Sequence, residues 1–267
     1  MVFILALLMI IPAASCRKQE TVTVKRDLNE ISEEAIGQIA EKRIFFGHMS
    51  VGNNILDGIR EIQEREPRFK HLNIETFEAG KEIDRPGIYH FLLGNNAFPD
   101  KKVKACEDAL LTGGAGQHFD MAVFKYCYVD FTEDTDVDRV FADYRRMIST
   151  LKGRYPDLII IHMTVPLTVR YYGLKGWLKF TLGKKPPNDK RSQFNEMLKK
   201  EYGKSDPIFD LAGLESTDAR GKKLTYTSGG KAVPYMASEY TDDGGHLNET
   251  GRMLAGLEFL KTLTSTK

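Results

Sequence analysis

The chain has 267 residues, 42% hydrophobic and 28% charged, which places it among globular proteins and excludes a disordered chain or a membrane protein along its whole length. Its 38 Lys and Arg against 37 Asp and Glu leave a formal net charge of +1, so neither a duplex-binding surface nor a polyanion partner is expected. Three cysteines cannot staple a chain of this length, and the fold must rest on an apolar core.

Residues 2–15, VFILALLMIIPAAS, form an apolar run too short to span a bilayer comfortably and suited to the core of a signal peptide. Ala13, Ala14 and Ser15 before Cys16 resemble the bacterial lipoprotein processing box. That resemblance implies export to the periplasm or cell surface, with Cys16 lipidated and anchored in a membrane; simple export is the alternative. Residues 17–36 are polar and read as a tether, and one domain is expected over 37–267.

Within that domain, RIFFGHM (43–49) reads as a buried strand running into a helix over 50–66, where Ile55, Ile59 and Ile62 recur at helical spacing. Strands are expected at 72–79, 88–94, 121–131, 158–167 and 207–215, and helices at 100–111, 136–152, 190–202 and 249–263. Strands that alternate with helices, with continuous apolar runs such as 158–163 needing cover on both faces, predict a mainly parallel sheet in a three-layer α/β/α sandwich. Ligands in such folds sit beyond the C-terminal strand ends. Cys106 and Cys127 read as buried thiols rather than a disulfide.

Two motifs carry chemistry. FFGHMSVGNNI (45–55) puts Ser50 between the first strand and its helix, with Gly47 and Gly52 as candidates for a tight turn and free backbone N–H groups nearby. Exposure and nearby donors are what a nucleophile and an oxyanion require, although serine is also a common helix N-cap. YTDDGGHLNETGR (240–252) sets Asp243 three residues before His246 across two glycines, so a turn can bring the carboxylate to one ring nitrogen and leave the other as a base. Asn248 reads as the cap of the last helix.

Together these motifs resemble the SGNH (GDSL-type) hydrolases. That resemblance implies a flavodoxin-like three-layer fold and a serine esterase with Ser50, Asp243 and His246 as its catalytic residues. The substrate implied is a small acyl ester, such as an O-acetylated carbohydrate, cleaved through an acyl-enzyme. No metal, organic cofactor, nucleic acid or obligate protein partner is implied. The chain departs from the family at Gly47-His48-Met49-Ser50, where G-D-S is usual, and at Cys127-Tyr128-Val129-Asp130, where G-x-N-D is usual and only the aspartate matches. The family's oxyanion glycine and asparagine therefore need substitutes. Gly94 is the candidate for the first; Asn53, Asn54, Asn95 or Asn96 are candidates for the second, with Asn96 preferred. The alternative function is a surface lipoprotein of the same fold that binds a carbohydrate or another ligand without turnover.

Four further residues stand out. His48 either contacts substrate or braces the nucleophile turn. Lys125, in an otherwise apolar strand, either pairs with Asp130 or donates within the site. His162 reads as a satisfied core histidine. Trp177 lies in TVRYYGLKGWLKFTLGKKPP (168–187), which leaves the catalytic edge either as a substrate-side loop or as a short packed helix.

Overall fold

The computed structural model describes residues 28–170 and 188–266. Cys16 and Trp177 lie outside them, as do most of 168–187 and the first part of the expected tether, 17–27. Six strands, β1 (Arg43–His48), β2 (Ile74–Thr76), β3 (Gly87–Leu92), β4 (Met121–Phe124), β5 (Ile159–Met163) and β6 (Ile208–Phe209), form one sheet in the order β2-β3-β1-β4-β5-β6. Every neighbouring pair is parallel.

The alternation along β1 separates the two cores. Ile44 and Phe46 point into a layer with α1 (Glu33–Ala40), α2 (Ser50–Arg65) and α7 (Glu249–Ser265), whereas Phe45 points into the opposite layer with α3 (Pro99–Glu107), α4 (Val137–Arg154) and α5 (Asn188–Tyr202). This is the three-layer α/β/α sandwich expected from the apolar runs. The first layer begins earlier than the sequence suggests: Leu28, Ile31, Ile36 and Ile39 are all buried in it.

The strands after β1 all end before their expected limits, β4 and β6 by the most, each of these two for a local reason. β4 stops at Phe124 because the Asp130 carboxylate takes the Cys127 amide at 2.6 Å and folds 128–130 into a 3-10 turn. β6 keeps two residues because Asp210 caps a short helix, α6 (Leu211–Glu215), through the Gly213 amide at 3.0 Å. A hairpin, β7 (Thr225–Ser228) with β8 (Lys231–Pro234), was not foreseen. Its two-residue turn is Gly229-Gly230, both at positive φ, the conformation that this turn requires.

Helices α2 and α7 cross at Gly58 and Gly256. A Cβ on Gly58 would collide with the Arg252 carbonyl, and one on Gly256 would lie 2.8 Å from Ile59 N. This close crossing brings the start of α7, and the loop before it, alongside α2.

Candidate active site

β1 lies between β3 and β4, so the chain leaves it where the sheet's connections diverge to either side. Ser50, the first residue of α2, stands at that crevice. Met49, not Ser50, is the N-cap, and it makes no side-chain cap bond. Ser50 Oγ is half-buried and has no hydrogen-bond partner among the described residues. Its amide is among the first in the helix and has no intrahelical acceptor.

The glycines around Ser50 act differently from the expectation. Gly47 is a strand residue and Gly52 a helical one; neither has positive φ, and neither makes a turn. Gly52 lies over the His48 ring, where a Cβ would come within 3.0 Å of His48 Cβ, Cγ and Nδ1. His48 is fully buried and stacks on Phe46 at 4.5 Å. Its Nδ1 faces the Met49 carbonyl at 3.1 Å, which can only accept, so Nδ1 carries the proton. Nε2 then accepts from His90 Nδ1 at 3.3 Å, and His90 Nε2 accepts from the Thr76 hydroxyl at 3.3 Å. Burial pushes His48 down to about 3 and lowers His90 as well, so both rings stay neutral. His48 thus braces the junction between β1 and α2 from beneath.

The D-x-x-H turn closes as its spacing predicts. His246 Nδ1 meets Asp243 Oδ2 at 2.6 Å, while Asp243 Oδ1 accepts from the Gly245 and His246 amides at 2.9 and 2.8 Å. Burial works against the Asp243 charge, but the hydrogen bonds from the His246 ring and from both amides outweigh it and hold the carboxyl well below its usual range. Asn248 caps α7 through the Gly251 amide at 3.1 Å, as expected. Two bonds tie this loop to the sheet edge: Leu247 N donates to Asn54 Oδ1 at 3.1 Å, and Val169 N donates to the Gly244 carbonyl at 3.0 Å. Asn54 is one helical turn beyond Ser50 on the same face of α2.

The donors expected for an oxyanion are dispersed. Gly94, at φ +66°, already donates its amide to the Leu92 carbonyl at 2.9 Å. Asn53 is exposed. Asn96 turns its carboxamide oxygen to Lys102 Nζ at 3.0 Å. The expected Lys125–Asp130 ion pair does not form. Lys125 is fully buried and its ammonium reaches the Tyr126 carbonyl at 3.0 Å and Cys127 Sγ at 3.5 Å; burial lowers its pKa. Asp130 is paired instead with Lys102, at 2.8 Å, both side chains being wholly inaccessible. It also accepts from the Ala97 amide at 2.9 Å, tying the segment after β3 to the one after β4. His162 is buried as expected, 2.6 Å from the Tyr144 hydroxyl and stacked on Tyr202. Cys106 and Cys127 are buried and free. Among the described residues no group of His, Cys, Asp and Glu is arranged to hold a metal.

The residue that sequence reasoning missed is Tyr128. Its hydroxyl lies 3.5 Å from His246 Nε2, and its ring packs edge-on against the imidazole, 5.6 Å between centroids. The buried Arg191 holds it from the other side: Nε donates to the Tyr128 carbonyl at 2.9 Å and the guanidinium lies 5.4 Å from the ring centroid. Nothing in local spacing connects residues 128, 191 and 246.

No known family profile and no curated protein matches the chain. Solved structures do. A candidate acylhydrolase from Bacteroides fragilis aligns with a TM-score of 0.54 at 14% identity, covering 84% of this chain and 88% of that one. A GDSL-like lipase from Bacteroides thetaiotaomicron aligns with a TM-score of 0.53 at 10% identity, covering 85% and 89%. At these identities the likeness is one of fold: the chain has the three-layer α/β/α architecture of the GDSL-like lipases and acylhydrolases.

Proposed function

We propose that the protein is a serine esterase acting on a small acyl ester, with O-acetylated glycans the first substrates to test. Ser50 is the nucleophile, His246 Nε2 the base, and Asp243 the group that orients the imidazole. Ser50 Oγ attacks the ester carbonyl as its proton passes to Nε2. The alcohol then leaves with that proton, and water hydrolyses the acyl-enzyme by the same route. The Ser50 amide supplies one oxyanion donor. The observation that carries this reading is the 2.6 Å Asp243–His246 bond in a loop anchored to α2 one turn from Ser50. Nucleophile–base contacts are commonly loose before substrate binds, so a Ser50 hydroxyl without a partner is compatible with the role.

The test is a fluorophosphonate probe together with a short-chain chromogenic ester. Labelling and turnover are expected in the wild type and in Ser149→Ala, whose serine is exposed on α4, and are expected to vanish in Ser50→Ala. A wild type that neither labels nor turns over at any pH would instead support the non-catalytic binding protein.

A further inference from the structure

The missing family asparagine leaves the reaction one side-chain donor short, and the structure assigns that role to the Tyr128 hydroxyl rather than to Asn96. This inference rests on the esterase reading above. Gly94 has its amide on Leu92, and Asn96 is exposed with its Nδ2, the atom that would donate, making no bond to the His246 loop, whereas among the described residues Tyr128 is the side-chain donor in contact with the catalytic nitrogen. A carbonyl attacked by Ser50 must lie beside the group that deprotonates Ser50, and therefore beside Tyr128.

The tautomer determines the sequence of events. Asp243 can only accept, so His246 Nδ1 carries the ring proton and Nε2 carries the lone pair, towards which Tyr128 donates. One lone pair cannot take two hydrogens at once. When Ser50 donates to Nε2, the tyrosine hydroxyl is displaced from a contact that is weak at 3.5 Å. As the Oγ–C bond forms, the carbonyl π electrons move to oxygen and the Ser50 proton moves to Nε2. The imidazolium no longer accepts, so the Tyr128 hydrogen turns to the new oxyanion. No proton leaves tyrosine; it donates a hydrogen bond and takes it back when the carbonyl reforms and the leaving alkoxide removes the proton from Nε2.

The surroundings suit a donor and not a base. Burial, and then the Asp243 charge, raise the Tyr128 pKa, so the hydroxyl keeps its hydrogen. The ring is wedged between Arg191 and Gly245, where a Cβ would lie 2.8 Å from Tyr128 Cζ and 2.9 Å from its oxygen. A donor held this tightly needs little reorganisation as charge develops.

Tyr128→Phe keeps the ring and removes only the donor. Ester turnover should fall about 10²-fold in kcat, the usual effect of deleting one oxyanion donor, with KM nearly unchanged. The matching thionoester, whose sulfur accepts hydrogen bonds poorly, should lose far less. Equal losses on ester and thionoester would show that Tyr128 merely orients His246, and a kcat within twofold of the wild type would show that it contributes nothing; either overturns the assignment. A wild type with no turnover and no fluorophosphonate labelling would overturn the esterase reading itself, and this inference with it.

Discussion

Gly52→Ala tests why the chain carries a glycine two residues after Ser50. In an ordinary helix interior the change would stabilise by about 0.5–1 kcal/mol, because glycine has more backbone entropy to lose. Here the new Cβ would meet the root of the His48 side chain, its Cβ, Cγ and Nδ1, so rotating a far end cannot relieve the clash. Either the ring moves, breaking its bonds to Met49 and His90, or α2 lifts off β1. Overpacking of this kind costs about 1–3 kcal/mol, and each hydrogen bond lost adds about 1 kcal/mol. The expected net loss is about 2–3 kcal/mol, read from urea unfolding midpoints at constant m. In a His48→Gly background all three of these atoms are absent, and the same Gly52→Ala change should be neutral or stabilising. Equal costs in the two backgrounds, or a Gly52→Ala protein as stable as the wild type, would refute the packing account.

Two more outcomes concern the buried charges. Burial raises Glu215 to about 8 from 4.5, against the hydrogen bond from the Leu167 amide at 2.6 Å, and its other carboxyl oxygen has no partner. The native state therefore binds this proton more tightly than the unfolded chain does. Its contribution is fully present below about pH 4.5 and is lost as pH rises through 8, at about 1.4 kcal/mol per pH unit within that window. Glu215→Gln should flatten this decline, gaining on the wild type at pH 8 but not at pH 5 in urea melts; parallel pH curves would refute it. Lys102→Met should cost about 3–5 kcal/mol because it strands the Asp130 charge. Adding Asp130→Asn should then cost much less than it does alone, and strictly additive costs in the double-mutant cycle would show that the two do not act as a pair.

What was legible in the sequence was local or periodic. The helix faces of α2 and α4 followed from apolar spacing, and the layer count followed from strands apolar on both faces. The Asp243–His246 contact followed from a three-residue turn across two glycines. The errors arose where a distant group competes with a local preference. Residues 125–131 look like strand, but Asp130 folds them into a turn. Gly52 looks like a turn glycine until the His48 ring is seen beneath it. Tyr128, Lys102 and Arg191 carry no signal at all, since their partners lie 118, 28 and 63 positions away. Tyr128 was hidden further because it stands at the unspecified position when Cys127–Asp130 is set against the G-x-N-D pattern.

Besides apolar contacts, charges hold the segments that leave β3, β4 and β5, although charges are costly to bury. Asp130 gathers Lys102 and the amides of Ala97 and Cys127, so the segments leaving β3 and β4 share one anchor. Arg191 joins the Tyr128 carbonyl, after β4, to the Thr168 hydroxyl, after β5, at 2.9 and 2.8 Å, and holds Asn188 at the start of α5 at 2.7 Å. Apolar packing is non-directional and would keep these segments close without fixing their angles. Charge-assisted hydrogen bonds fix angle as well as distance. Tyr128 is where the two networks meet: Arg191 binds its carbonyl, Asp130 turns the chain two residues later, and its hydroxyl faces His246. In the role proposed for Tyr128, a hydroxyl that passes from an imidazole to an oxyanion depends on that angular restraint more than on any additional apolar area, which would give this edge of the sheet a physical reason to carry so much buried charge.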